Sequence, residues 1–203
     1  LYAALACILL SFRFKNIKWA ITAAAVFLSL GLFRLNQLYQ QNHQHYLCFY
    51  HCKNNLILST VYGRKCTLIS DRKLDKPQQI RFAVQQHLWS LGVIETQHFG
   101  LTDSVRQAEM IFENGKGIIA DKTVFVYGPD QVRQNAYNPL DVDYLVIHNN
   151  PKIEDIKDIE RLCHYQKIIF AATNFRYNTK KWKQQCDDYK IDYVDIAQKG
   201  AFE

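Results

Sequence analysis

Two apolar runs, residues 1–14 and 17–35, open the chain with only Lys15 and Asn16 between them, and they restrict what it can fold into more than anything that follows. A helix needs about 20 apolar residues to cross a hydrocarbon core about 30 Å thick, and the second run, edged by Lys18 and Arg34, just reaches that length. The first run is shorter and no Met precedes it, so it reads as the tail of a span that starts upstream. A cleaved signal peptide would place one apolar core between a basic start and a small-residue cleavage site, which does not describe a tight pair of runs. The expectation is a transmembrane helical hairpin over residues 1–35, closing a polytopic membrane region, then a polar, glutamine-rich stalk over 36–45. A buried helical hairpin in a soluble protein is the alternative.

Charge divides the chain in the same place. Residues 1–70 hold seven of the 25 Lys and Arg side chains and none of the 19 acids, leaving 18 basic and 19 acidic groups for the rest, a balance of −1. The formal +6 therefore belongs to the membrane-proximal third, not to a uniformly basic nucleic-acid binding surface. Short Lys- and Arg-rich loops stay in the cytoplasm, and Arg13, Lys15 and Lys18 flank the connection between the runs. Residues 36–203 are thereby expected outside the cytoplasmic membrane, and are enough for one domain with its own core.

The six cysteines do not make a disulfide framework. Cys7 lies in the first run, and Cys48, Cys52, Cys66, Cys163 and Cys186 are odd in number with no C-x-x-C pair. His43, His45, Cys48, His51 and Cys52 crowd ten residues, but their spacing matches no zinc pattern and core filling is the expected role of the cysteines.

Residues 46–51, 56–62 and 66–70 are rich in aromatic and aliphatic side chains, divided at 53–55 and 63–65, and predict three successive antiparallel strands. Near-helical spacing predicts a helix over 78–91, stopped by Gly92. Short strands follow at 109–113, 117–120 and 123–127, the first two joined at Asn114-Gly115, a hairpin turn signal. From Asp143 the pattern becomes strand (144–147), helix (153–162), strand (168–172), helix (179–189), strand (193–196), which requires parallel pairing. A layered α/β domain with a mixed sheet is expected over 46–203, with residues 174–179 a loop and Asn178 or Thr179 capping the last long helix.

The segments 47–71, 143–156 and 168–202, behind two terminal membrane helices, resemble the C-terminal region of ComEC-type competence proteins, particularly their Bacteroidetes-like form. The most specific stretches are Asn-Asn-Pro-Lys at 149–152, residues 174–186 with Trp182, and Lys-Gly-Ala-Phe at 199–202. The resemblance implies a metallo-β-lactamase-like domain, in which a strand leads into H-x-H-x-D-H and two metal ions activate water and clamp a phosphate. Here the strand ending at Ile147 leads into His148, Asn149, Asn150, Pro151, Lys152 and Ile153. With His148 as the first ligand, Asn150, Lys152 and Ile153 occupy the second His, Asp and last His positions, and an ammonium repels a cation. No metal or other cofactor is expected, and no catalytic residue. His87, His98, His148 and His164 stand alone at no ligand spacing, and Asp71, at a strand end, is as readily a turn former as a ligand.

The run Phe175, Arg176, Tyr177, Lys180, Lys181, Trp182, Lys183 joins cations, which neutralise phosphate, to rings, which stack on unpaired bases. Arg176, Tyr177, Lys180, Lys181 and Lys183 are thus candidate nucleic-acid contacts, while an ordinary amphipathic helix with Trp182 on its buried stripe explains the same pattern. The resemblance implies the membrane, single-stranded DNA and other competence proteins as partners. A structural or docking role in a DNA-uptake channel at the inner membrane follows from it. The competing readings are a nuclease with rearranged ligands and a membrane-anchored interaction domain unrelated to competence.

Overall fold

The computed structural model of the chain describes residues 17–52, 55–71, 84–107, 110–129 and 139–202. They form two compact units, Leu1–His43 and Gln44–Glu203.

The first unit contains α1 (Ile17–Asn42), 26 residues long, so the polar residues after Leu35 continue the helix. Its apolar side chains have little protein around them: Ile21, Leu28, Phe33 and Leu35 are 59–68% exposed along with Leu32. Thr22 and Ser29 turn their hydroxyls back onto the carbonyls of Lys18 and Ala25 at 2.9 and 2.8 Å, which satisfies them without water. Only 6% of the helix's most apolar window is buried, so by length and composition it is suited to crossing a membrane. Among the described residues there is thus one N-terminal apolar helix and not the expected hairpin, whose first run, residues 1–14, lies outside the described residues.

The second unit holds two mixed sheets. β1 (His45–Tyr50), β2 (Ile57–Tyr62) and β3 (Lys65–Ser70) pair antiparallel as the sequence predicts, and β4 (Glu95–Gly100) adds parallel to β3. The larger sheet has the order β11-β10-β9-β8-β7-β6-β5. Its antiparallel part is β5 (Val105–Gln107), β6 (Met110–Glu113), β7 (Lys116–Ile119) and β8 (Lys122–Tyr127). Its parallel part runs from β8 through β9 (Leu140–Ile147) and β10 (Cys163–Phe170) to β11 (Tyr193–Asp195). Asn114 and Gly115, at φ 50° and 77°, make the β6–β7 turn the sequence signals. The stretch 78–91 is described only in its second half, as α2 (Gln86–Ser90), with Gly92 just beyond it at φ 70°.

Alternation along the strands decides the layering. Phe49, Leu58 and Ile69 of the small sheet share a buried cluster with Phe112, Val124, Val126, Val146 and Ile169 of the large one. The intervening Cys48, Tyr50, Ile57 and Leu68 pack against Leu88 of α2 and Val84 just before it. On the far side, Phe125, Leu145, Ile147, Ile168 and Phe170 meet Ile156, Ile159, Trp182 and Cys186. The order of layers is helix, sheet, sheet, helix, and the strands buried on both faces read as nearly continuous apolar runs, broken in β2 and β3 only by small hydroxyl residues.

Two helices differ from expectation. The stretch 153–162 holds a 3-10 helix, Ile156–Arg161, in place of an α-helix. Ile153, Ile156 and Ile159 recur strictly every third residue, which makes a straight stripe only at three residues per turn. The helix expected at 179–189 is α3 (Arg176–Tyr189), which starts three residues earlier, so Asn178 and Thr179 lie inside its first turn and do not cap it. A final short helix, α4 (Ile196–Lys199), follows β11, and Phe202 then pairs backbone to backbone with Phe49 at 2.8 and 3.0 Å.

Candidate functional site

The carboxyl ends of β9 and β10 face the same way because the strands are parallel, and in open α/β sheets this edge is where ligands bind. Two loops leave it, His148–Lys152 from β9 and residues 171–175 from β10. Asn149 and Asn150 both adopt left-handed backbone, φ 54° and 55°, a region asparagine tolerates better than other side-chain-bearing residues. That double turn folds the first loop onto the second.

The asparagine and threonine side chains of the two loops join them. The Asn149 backbone N–H donates to Thr173 Oγ1 at 3.1 Å, and that of Asn150 to Asn174 Oδ1 at 2.9 Å. Asn150 Oδ1 accepts from the Phe175 N–H at 2.5 Å and from Asn178 Nδ2 at 3.2 Å, taking the place of a cap residue at the start of α3. Asn174 Nδ2 donates to the carbonyls of Ile147 and Ala171 at 2.6 and 3.1 Å. Asp71, just past β3, accepts from Asn149 Nδ2 at 3.0 Å through one oxygen and from the Leu56 N–H at 3.0 Å through the other. Asp71 thus ties the end of β3 to the loop after β9, beside the Thr67–Gln107–Gln97 bonds that join the two sheets elsewhere.

These residues do not fit a pair of divalent cations. At the position facing Asp71 the loop offers an amide N–H, which donates and cannot ligate, and both Asp71 oxygens already accept hydrogen bonds. Asn150 turns its oxygen to two N–H donors. His148 is buried with its ring against Gly128, where a Cβ would collide with it. Lys152 is exposed and Pro151 is buried. Among the described residues no three His, Cys, Asp or Glu side chains converge as a metal site, and the His43, His45, Cys48, His51, Cys52 crowd is included in that statement. Burial pushes the Cys66, Cys163 and Cys186 thiols up to about 12, which keeps these three protonated.

The basic-aromatic run splits when placed on α3. Arg176, Lys180 and Lys183 line a groove of about 570 Å³ with Asn174, Asp195 and Gln198, whereas Lys181 and Tyr177 are exposed on the helix and are not among its lining residues. Lys183 is engaged there: its Nζ lies 3.2 Å from Asp195 Oδ2 and donates to Gln198 Oε1 at 2.8 Å, fastening α3 to α4. Tyr177 and Phe175 stand 80% and 69% exposed at the same helix start. Trp182 is buried, stacked on Phe170 with centroids 6.1 Å apart, as its place on the apolar stripe predicts.

Sequence reasoning missed Thr173, Asn174 and Asn178 as members of the loop network. The available signal was the repeated asparagine after two adjacent parallel strands, Asn149-Asn150 and Asn174. Two of the three stretches that carry the resemblance, 149–152 and 174–186, meet here, while 199–202 ends on β1. The family model of the ComEC C-terminal domain matches residues 47–203. No curated protein and no solved structure matches the chain.

Proposed function

Since the chain belongs to the ComEC C-terminal domain family, we propose that it is part of a membrane protein of DNA uptake, whose domain over residues 46–203 scaffolds and docks and does not hydrolyse. The helix-sheet-sheet-helix layering supports a metallo-β-lactamase-like origin for the domain. The observation that carries the reading is the loop His148–Lys152, in which asparagine amides knit two loops and one carboxylate together where such an enzyme would grip cations. A hydrolase of that type without its ions loses both its activated water and the charge that stabilises the transition state.

Single-stranded DNA is the cargo this membership suggests, with the conducting path in membrane helices upstream and the domain outside the cytoplasmic membrane, beside the pore mouth. Arg176, Lys180, Lys181 and Tyr177 are the groups available to a passing strand, since Lys183 is held by Asp195. Sequence-tolerant contact of this kind needs only cations for phosphate and open rings for bases.

The test uses the full chain and a naturally transformable host that carries it. Removing residues 44–203 from the gene is expected to lower transformation sharply, and Asp71→Asn to leave it close to wild type. The purified full chain is expected not to cut DNA with zinc or manganese present. Divalent-dependent cleavage abolished by Asp71→Asn would establish the nuclease instead, and unchanged transformation after the deletion would remove the protein from DNA uptake.

A further inference from the structure

Among the described residues, one end of the small sheet carries large apolar side chains that stand exposed. The Gln44 side chain, at the start of the second unit, donates to the carbonyls of Gly63 and Leu91, both at 2.7 Å. Arg64 Nε donates to the Gly92 carbonyl at 3.1 Å, and the Ile94 N–H to the Arg64 carbonyl at 2.9 Å. These bonds gather the β2–β3 turn, the turn after α2 and the chain's point of entry into one end of the domain. Around it Ile94 is 73% exposed, Trp89 67% and Tyr62 42%. Arg64 and Lys65 lie beside them, the latter 3.3 Å from Glu95 in an exposed pair.

Only His43 and Gln44 separate the end of α1, at Asn42, from β1. The apolar run ends at Leu35, and the seven helical residues after it rise about 10 Å. A headgroup layer is about 5–8 Å thick on each side of the hydrocarbon. A chain anchored by α1 thus enters the domain at the outer edge of the headgroups, and tilt of the helix brings it nearer. Trp and Tyr with neighbouring Arg and Lys is the side-chain set that settles at this depth, rings among the carbonyl groups and cations on the phosphates.

We propose that the domain rests on the membrane through this end, Trp89 and Ile94 entering the headgroup layer with Tyr62, Arg64 and Lys65 around them. The inference rests on α1 spanning the bilayer, and the lipid surface is chosen as occupant because the tether allows the patch no great distance from it.

The experiment puts the full chain into nanodiscs of mixed zwitterionic and anionic phospholipid and reads its three indoles, Trp19, Trp89 and Trp182, one at a time. Trp182 is buried and serves as the constant background. In Trp19→Phe, the Trp89 emission should lie to the blue, be quenched by lipids brominated near the carbonyl end, and be about threefold less sensitive to acrylamide than an indole placed at exposed position 177 by Tyr177→Trp. Adding Ile94→Asp should return acrylamide access. Full acrylamide access with no lipid quenching overturns the proposal, and protection without lipid quenching also overturns it, because a protein then covers the patch. In Trp89→Phe, the Trp19 signal reports the anchor: quenching by acyl-chain bromine there alone sinks only the docking, and none at all sinks the membrane span with it.

Discussion

Replacing Asn150 by alanine separates the two tasks this residue performs. Its Oδ1 accepts from the Phe175 N–H and from Asn178 Nδ2, and its backbone sits at φ 55°. Those two hydrogen bonds contribute about 1 kcal/mol each and the long one from Nδ2 to the Thr173 carbonyl adds little, so losing the side chain's bonds costs about 2 kcal/mol. Left-handed backbone with a Cβ and no amide to compensate adds about 1 kcal/mol, for a total of about 3. Asn150→Gly loses the same bonds and avoids the steric cost, but orders a more flexible chain, and should be milder than alanine by about 0.5–1 kcal/mol. Asn150→Asp keeps the accepting oxygen and gives up only the 3.4 Å contact of Nδ2 with the Thr173 carbonyl, so it should cost less than about 1 kcal/mol. Urea unfolding of the full chain in micelles, read by Trp182 in a Trp19→Phe, Trp89→Phe background, measures all three because Trp182 reports only the core beside α3. An alanine variant within about 0.5 kcal/mol of the parent, or a glycine variant less stable than alanine, would refute the claim that this amide and its turn hold the loops together.

Trp182→Ala should cost about 3–5 kcal/mol and Trp182→Phe distinctly less, in thermal unfolding followed by circular dichroism, because the indole is buried and stacked on Phe170. Gly117→Ala should destabilise by about 1–3 kcal/mol in the same assay, since the new Cβ would run into the Ile111 carbonyl and lie 2.6 Å from Phe112 Cα across the β6–β7 pair. The Thr123 backbone N–H, its hydroxyl and Lys122 together hold the Asp143 carboxyl below its ordinary value of 3.8. A depressed carboxyl stabilises the fold fully above that ordinary value and loses the contribution as pH falls towards its folded one. The stability gap between the parent and Asp143→Asn should accordingly be constant above about pH 5 and close below it, and a gap independent of pH down to about 2 would refute the assignment.

Strands buried on both faces were easy to read because their signal is local: 46–51, 56–62, 66–70 and 123–127 are nearly continuous in apolar residues, and each appears within a residue or two. β4, Glu95–Gly100, was not read, because its side chains are mostly exposed and polar and its backbone bonds to β3 define it. The Asn114-Gly115 turn was visible from its residues, whereas the β7–β8 turn at Ala120 and Asp121, φ 49° and 61°, uses residues that carry no such signal. At the site, the residue types of the His148–Lys152 loop were legible, because they follow one another along the chain. The sequence could not tell that Lys183 is spent on Asp195, since that partner arrives from the next strand.

The sequence by itself determined what depends on neighbours along the chain: an apolar helix long enough for a bilayer, parallel pairing in the last third, the stripe that buries Trp182, and the lack of imidazole and carboxylate at ligand spacing after β9. Tertiary structure alone decided which donors meet which acceptors. Asn150 begins α3 from 25 residues away, Asp71 holds Asn149 from 78, and Gln44 binds the turn after α2 from 47. Such contacts leave no period or motif in the chain, because a hydrogen bond requires only that two groups arrive within about 3 Å of each other, and the packing of the two sheets brings them there.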